Sequence, residues 1–205
     1  KIIEYFIEDG KINFTNEVKI EDKSNSLDIF SDKINYNIKD KIILSDGNSK
    51  IIDEFQNTYD LAKFEYSIKD KVIKLFKTKV IDKDKNRFDL EIAYLDLNKK
   101  EIVAKDIGLN FKISENSENE PRLKGRSLIS DKKNTIVKKG TFTFCKKREK
   151  CPPWEMGAEE IIHDKEKKII KYKNANLKIY DKKVFYFPKF FHPDPTVKRQ
   201  SGFLT

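Results

Sequence analysis

The side chains whose type and spacing could support chemistry are few: Cys145, Cys151, His163 and His192, the only two cysteines and two histidines of the chain. Two thiols six positions apart can close a short disulfide loop in an oxidising compartment, or each can pair with a cysteine elsewhere. With two distant histidines they do not make a four-ligand zinc set, so no metal or cofactor is expected. His163 falls where Tyr36 and Tyr66 stand in earlier copies of an internal repeat, and His192 lies between Phe191 and Pro193. Both read as packing or turn residues. Carboxylate pairs carry no information in a chain that is 38% charged. No GxSxG, HExxH, P-loop or glycine-rich dinucleotide motif occurs. The chain reads as a non-enzyme.

The 205 residues suffice for one substantial core, or at most two small ones. A net charge of +9, from 43 basic and 34 acidic residues, is spread as in Lys39-Asp40-Lys41 and Asp82-Lys83-Asp84-Lys85. That pattern fits a solvated lysine-rich surface rather than the concentrated basic stretch of a nucleic-acid binder. What attraction remains is toward an anionic partner, with phosphate-bearing lipid and nucleic acid equal on charge alone. No apolar run is long enough for a membrane-spanning helix. Lys1-Ile2-Ile3-Glu4-Tyr5 alternates like a strand rather than a signal peptide.

The elements that must position these residues come from a repeat. Ile34 to Ile43 matches Phe64 to Ile73 almost position by position, an apolar anchor followed eight residues later by an apolar pair across a Lys/Asp turn. The geometry returns at Tyr94 with Ile102-Val103, Leu128 with Ile136-Val137, and Ile161 with Ile169-Ile170, with successive anchors 30, 30, 34 and 33 residues apart. A looser copy spans Ile3 to Ile12. Each unit reads as strand, polar turn, strand, with Ser45-Asp46-Gly47-Asn48 as one such turn. Period-two alternation is plain in Phe88, Leu90, Ile92, Tyr94 and in Ile107, Leu109, Phe111, Ile113. The chain is therefore expected to be all-β, without useful helices.

A single hairpin cannot bury its apolar face, so neighbours must stack. The inward candidates are Ile34, Tyr36, Ile38, Phe64, Tyr66, Ile68, Phe88, Leu90, Ile92, Tyr94, Ile107, Leu109, Phe111 and Ile113. Periodicity alone leaves two readings, a filled sandwich core or an apolar groove between sheets that do not close.

Two stretches, Cys151-Pro152-Pro153-Trp154-Glu155-Met156-Gly157-Ala158 onward to Asp164 and Ile170 to Tyr180, resemble the last periplasmic repeat of the lipopolysaccharide-assembly outer-membrane family, LptD, also called OstA. Phe185-Tyr186-Phe187-Pro188-Lys189-Phe190-Phe191-His192-Pro193-Asp194-Pro195-Thr196-Val197-Lys198-Arg199-Gln200-Ser201-Gly202-Phe203-Leu204 is similar to that family's passage into its membrane barrel. The resemblance implies an elongated, twisted antiparallel β-jellyroll, a taco-like OstA domain over residues 1–183. Residues 184–205 would form the junction to a C-terminal barrel that is absent here, with Pro188, His192, Pro193, Asp194, Pro195, Lys198, Arg199 and Gly202 at that junction. It implies a domain at the periplasmic face of a Gram-negative outer membrane that accepts lipopolysaccharide in its groove. The implied partners are a bridging jellyroll protein joined at an N-terminal edge strand, and the chain's own barrel with its plug lipoprotein. It also makes Cys145 and Cys151 disulfide candidates of open connectivity. The competing readings are a soluble bridge protein of the same system, a structural stalk, and a polysaccharide-active β-solenoid.

Overall fold

The computed structural model describes residues 2–6, 10–112, 120–145 and 152–197. Among them there is no helix; the chain is all-β, thirteen strands in one antiparallel sheet whose order is that of the chain. They are β1 (Ile2–Phe6), β2 (Lys11–Asp22), β3 (Leu27–Asn37), β4 (Ile42–Ile52), β5 (Thr58–Ser67), β6 (Val72–Ile81) and β7 (Arg87–Asp96). Then follow β8 (Glu101–Asn110), β9 (Glu120–Ser130), β10 (Asn134–Cys145), β11 (Trp154–Asp164), β12 (Ile169–Ile179) and β13 (Lys182–Pro193). The chain divides into two compact units, Lys1–Lys105 and Asp106–Thr205. The last strand takes in residues on both sides of position 184.

One device recurs in nearly every strand. Burial alternates with period two, skips one step at mid-strand, and resumes. In β3 the buried residues are Leu27, Ile29 and Ser31, then Ile34; in β5 they are Tyr59 and Leu61, then Phe64 and Tyr66; in β10, Thr135 and Val137, then Gly140, Phe142, Thr143 and Cys145. Two consecutive outward residues at the middle mean that the strand has bent, so that both halves can present apolar side chains to one interior. Left-handed residues mark these bends, among them Asn16, Glu17, Lys77, Lys139 and Asn174, with φ between 47° and 67°. Register shifts fall at the same places in β2–β3, β3–β4 and β4–β5. Each unit is thus a sheet doubled over into two leaves. In the first unit, one leaf ends in the turns at 37–41, 67–71 and 96–100, and the other in the loops at 22–26, 53–57 and 82–86.

The doubling explains where period-two reasoning goes astray. Ser45-Asp46-Gly47-Asn48 is no hairpin turn but the bend inside β4. Gly47 has φ +154° there and a Cβ would meet nothing within 4 Å, so backbone conformation is the reason for glycine. In β7 the skip follows Leu90, which puts Ala93 and Leu95 inside. Ile92 and Tyr94, expected inward, stand on the outer phase. Tyr94 is 44% exposed, and the Lys74 ammonium lies 5.7 Å from its ring centroid. The anchors Ile34, Phe64, Leu128 and Ile161 are buried as the repeat requires; Ala93 takes the third place instead of Tyr94. In the second unit the bends of β9 and β10 approach so closely that a Cβ on Gly125 would lie 2.1 Å from Val137 Cγ1.

The Lys/Asp turns are likewise built alike. Lys41, Lys71 and Lys100 each have φ +55°, and the carbonyls of Lys41 and Lys71 accept the amides of Ile68 and Leu97 two strands on. Gly10, at φ +61°, does the same for Ile38. At the opposite ends Asp53 and Asp82 each accept the amides of residues two and four positions on and the side chain of an Asn four on. These Asx loops replace the lost ladder bonds where the chain reverses.

Candidate functional site

In the first unit most of the interior is filled. Ile29, Ile51, Phe64, Ile73 and Leu75 are completely buried and Tyr66 nearly so. Toward β1 the filling stops. A cavity of about 460 Å³ opens there, lined by Ile3, Phe14, Thr15, Val18, Lys19, Ile20, Ile34, Tyr36, Ile43 and Ile68. The half-strand of Phe14, Ile34, Tyr36 and Ile43 supplies one leaf and Val18 with Ile20 the other, because β2 bends at Asn16-Glu17 between them. Of the fourteen residues expected to line a groove, Ile34, Tyr36 and Ile68 border this cavity.

Phe64, Tyr66, Leu90, Ile107, Leu109 and Phe111 are buried in packed interior and Phe88 is half-buried. Ile38 follows β3 and is 37% exposed. Ile113 lies outside the described residues. Sequence reasoning passed over Phe14, Val18, Ile20 and Ile43, although the pairs Ile12/Phe14 and Val18/Ile20 already carry the two-halves signature that a bent strand leaves.

The seam between the leaves is bridged at two points. The Tyr66 hydroxyl donates to Asp22 Oδ2 at 2.5 Å and accepts from Asn25 Nδ2 at 3.2 Å, joining the ends of opposite leaves. Burial and the neighbouring carboxylate push the phenol of Tyr66 well above its ordinary range. Partial burial opposes ionisation of Asp22, yet bonds from Ser24, Tyr66 and Asn25 outweigh it and bring its carboxyl down to about 2. Farther along, Lys100 Nζ reaches Glu54 at 2.8 Å and stands 5.9 Å from the Phe55 ring centroid. That pair is solvent-exposed and contributes little.

Asp22 sets a pH dependence. Its folded pKa lies below the unfolded value of about 3.9, so its contribution is complete above about pH 5 and is lost as pH falls toward 2. Discounted for partial exposure, this is worth on the order of 1–2 kcal/mol. Asp22→Asn is expected to remove that fall in urea-unfolding free energy between pH 5 and 2. A variant with the wild-type pH profile would show that Asp22 is not the group responsible.

The second unit has an aromatic interior. Phe142 of one leaf meets Tyr172 and His192 of the other, with ring centroids at 6.4 and 5.1 Å, and Trp154 packs at 6.3 Å on the same ring. His192 Nδ1 donates to the Pro193 carbonyl at 2.6 Å, which leaves Nε2 to accept from the Tyr172 hydroxyl at 2.7 Å. Burial lowers the pKa of His192, in keeping with this neutral tautomer.

His163 Nε2 pairs with Asp194, both almost fully buried, and Phe111 stands edge-on to the imidazole at 5.5 Å. Burial opposes ionisation of Asp194, but the His163 bond and the Thr196 amide at 2.7 Å outweigh it and hold the carboxyl below its usual range. No group of three metal-ligating side chains forms among the described residues. Cys145 is a buried thiol against Thr143 Oγ1 and Arg122; Cys151 lies outside the described residues. At the expected junction Pro188 is exposed in β13, Pro193 ends that strand, and Asp194 and Pro195 follow it. Lys198, Arg199 and Gly202 lie outside the described residues.

No family model matches the chain. It is 39% identical over 77 residues to a Yersinia pestis protein called LPS-assembly protein LptD, a match covering 38% of this chain and 10% of that protein. The protein of the same name from Yersinia enterocolitica is 38% identical over 77 residues, 38% of this chain and 9% of its own length. That from Sodalis glossinidius is 36% identical over 74 residues, 36% and 9%. The matches thus span about a tenth of the length of these curated relatives.

Proposed function

We propose that this chain is a lipid-carrying periplasmic domain in lipopolysaccharide assembly at the outer membrane of a Gram-negative bacterium, and that its first unit shelters acyl chains. The observation that carries the reading is the apolar cavity of about 460 Å³ between the leaves at the β1 end, a size suited to small-molecule ligands. Each methylene moved from water into it is worth roughly 0.8 kcal/mol, so an alkyl tail supplies affinity without any precise polar contact. Similarity to proteins named LPS-assembly protein LptD supports lipopolysaccharide as the source of those tails. On this reading β1, paired only with β2 among the described residues, accepts a strand of a bridging jellyroll protein by β-augmentation. The barrel and its plug lipoprotein lie downstream of the junction.

A photoreactive residue at Tyr36 or Phe14 is expected to crosslink lipopolysaccharide, whereas one at the outward Lys63 is not. Ile20→Asp should cut the Tyr36 crosslink about ten-fold while leaving the unfolding transition in place, because Ile20 is only half-buried. Equal labelling at Lys63 and Tyr36 would defeat the reading.

A further inference from the structure

The two lips of the seam in the first unit differ in charge. The turns at 37–41, 67–71 and 96–100 carry six lysines against three aspartates. The facing loops at 22–26, 53–57 and 82–86 carry three lysines against five carboxylates. The first two of those turns also flank the cavity mouth, since Ile68 lines it and its amide is bonded to the Lys41 carbonyl at 3.0 Å.

Lysine is an odd choice for the left-handed position of these turns. Glycine adopts φ near +55° freely and asparagine readily, whereas a side chain with an ordinary Cβ meets steric resistance there. Gly10 shows that glycine fits the same hydrogen-bonded role. Lys41, Lys71 and Lys100 nonetheless occupy it at φ +55°, and Lys39, Lys41, Lys69 and Lys71 are all exposed. Left-handed lysines also stand at Lys77, Lys85, Lys139 and Lys168, so conformation alone does not single out this lip; what does is the excess of lysine over aspartate in the turns that flank the cavity mouth. Turns two strands apart lie about 10 Å from each other, close enough for two of them to serve one diphosphorylated headgroup or two neighbouring ones.

We infer that the basic lip, centred on Lys41 and Lys69, is a binding surface for the phosphate of an amphiphile whose tail occupies the cavity, so that the headgroup leans over this lip and away from the acidic one. The inference rests on the cavity reading above and adds the headgroup chemistry and its side. A phosphate outside the seam keeps its water while its charge is met by flexible lysines, so no buried charge has to be desolvated.

The test uses the chain with three probes below their micelle-forming concentrations: dodecyl phosphate, dodecyl maltoside and inorganic phosphate, measured by calorimetry. Lys41→Gly with Lys69→Glu removes charge from the basic lip, glycine being at ease where Lys41 stands. Lys85→Gly with Lys83→Glu makes the same charge change on the other lip, where Lys85 also has positive φ, at +63°. The wild type should bind dodecyl phosphate about ten-fold more tightly than dodecyl maltoside, or 1.4 kcal/mol. The first double variant should lose that preference while keeping its affinity for the maltoside, and the second should retain it. Loss of preference in both double variants would trace the effect to net charge and overturn the inference. Inorganic phosphate binding as tightly as dodecyl phosphate would make the lip a free-phosphate site and overturn it as well. Equal affinity of the wild type for both detergents would refute the lip while leaving the cavity intact. Failure of both to bind would refute the two together.

Discussion

His163→Ala is expected to lower the unfolding free energy of the second unit by about 3–5 kcal/mol at pH 7, the cost of leaving a buried carboxylate without its partner. Asp194 is 4% exposed, and without His163 its carboxylate keeps the bonds from Thr196, whose amide lies at 2.7 Å. In the wild type the paired carboxyl sits below its ordinary pKa, so the pair stabilises the fold above about pH 4 and loses that effect as pH falls through the depressed value. In the variant, burial is opposed by Thr196 without His163, which raises the carboxyl relative to the wild type, so the penalty is largest at neutral pH and shrinks as acid neutralises the group. Trp154 is the single tryptophan and packs on Phe142 in this unit, so its fluorescence reports the transition. Urea unfolding at pH 7 and pH 4.5 should give the larger difference at pH 7. An equal loss at both values would mean that His163 acts by packing against Phe111 and not by charge.

Phe64→Ala is expected to cost about 3–5 kcal/mol in the first unit, because Phe64 is fully buried just past the bend of β5 and its removal leaves a void that neighbours on two leaves cannot both fill. Tyr36→Ala, on the border of the open cavity, should cost less than about 1.5 kcal/mol, since part of its surface already faces solvent-accessible space. The contrast between the two, read from amide hydrogen exchange of β5 and β3, measures where packed interior gives way to cavity. Equal costs would mean that the cavity is closed in solution and would remove the footing for lipid carriage.

The same contrast shows how far the amino acids can be read unaided. The buried anchors Ile34, Phe64, Leu128 and Ile161, the Lys/Asp turns and the absence of helix were all legible, because strand alternation and turn chemistry are local. The orientation of Ile92 and Tyr94 was not. It depends on a one-residue phase step at a bend that the alternation of Phe88, Leu90, Ile92 and Tyr94 conceals, all four being apolar. Gly47 likewise reads as a turn, since a turn and a mid-strand bend ask for the same backbone freedom.

Residue types by themselves therefore determined that this chain is a series of antiparallel hairpins with apolar anchors and charged turns, and that it carries no recognisable catalytic motif. Tertiary structure alone decided which apolar stripe is sealed and which stays open. Phe64 and Tyr36 belong to the same kind of stripe in neighbouring copies of one repeat, and what separates them is the number of strands stacked on either side. In the middle of the first unit each leaf finds another leaf to close against. At the β1 end the stacking runs out, and the last stripe is left facing a space instead of a side chain.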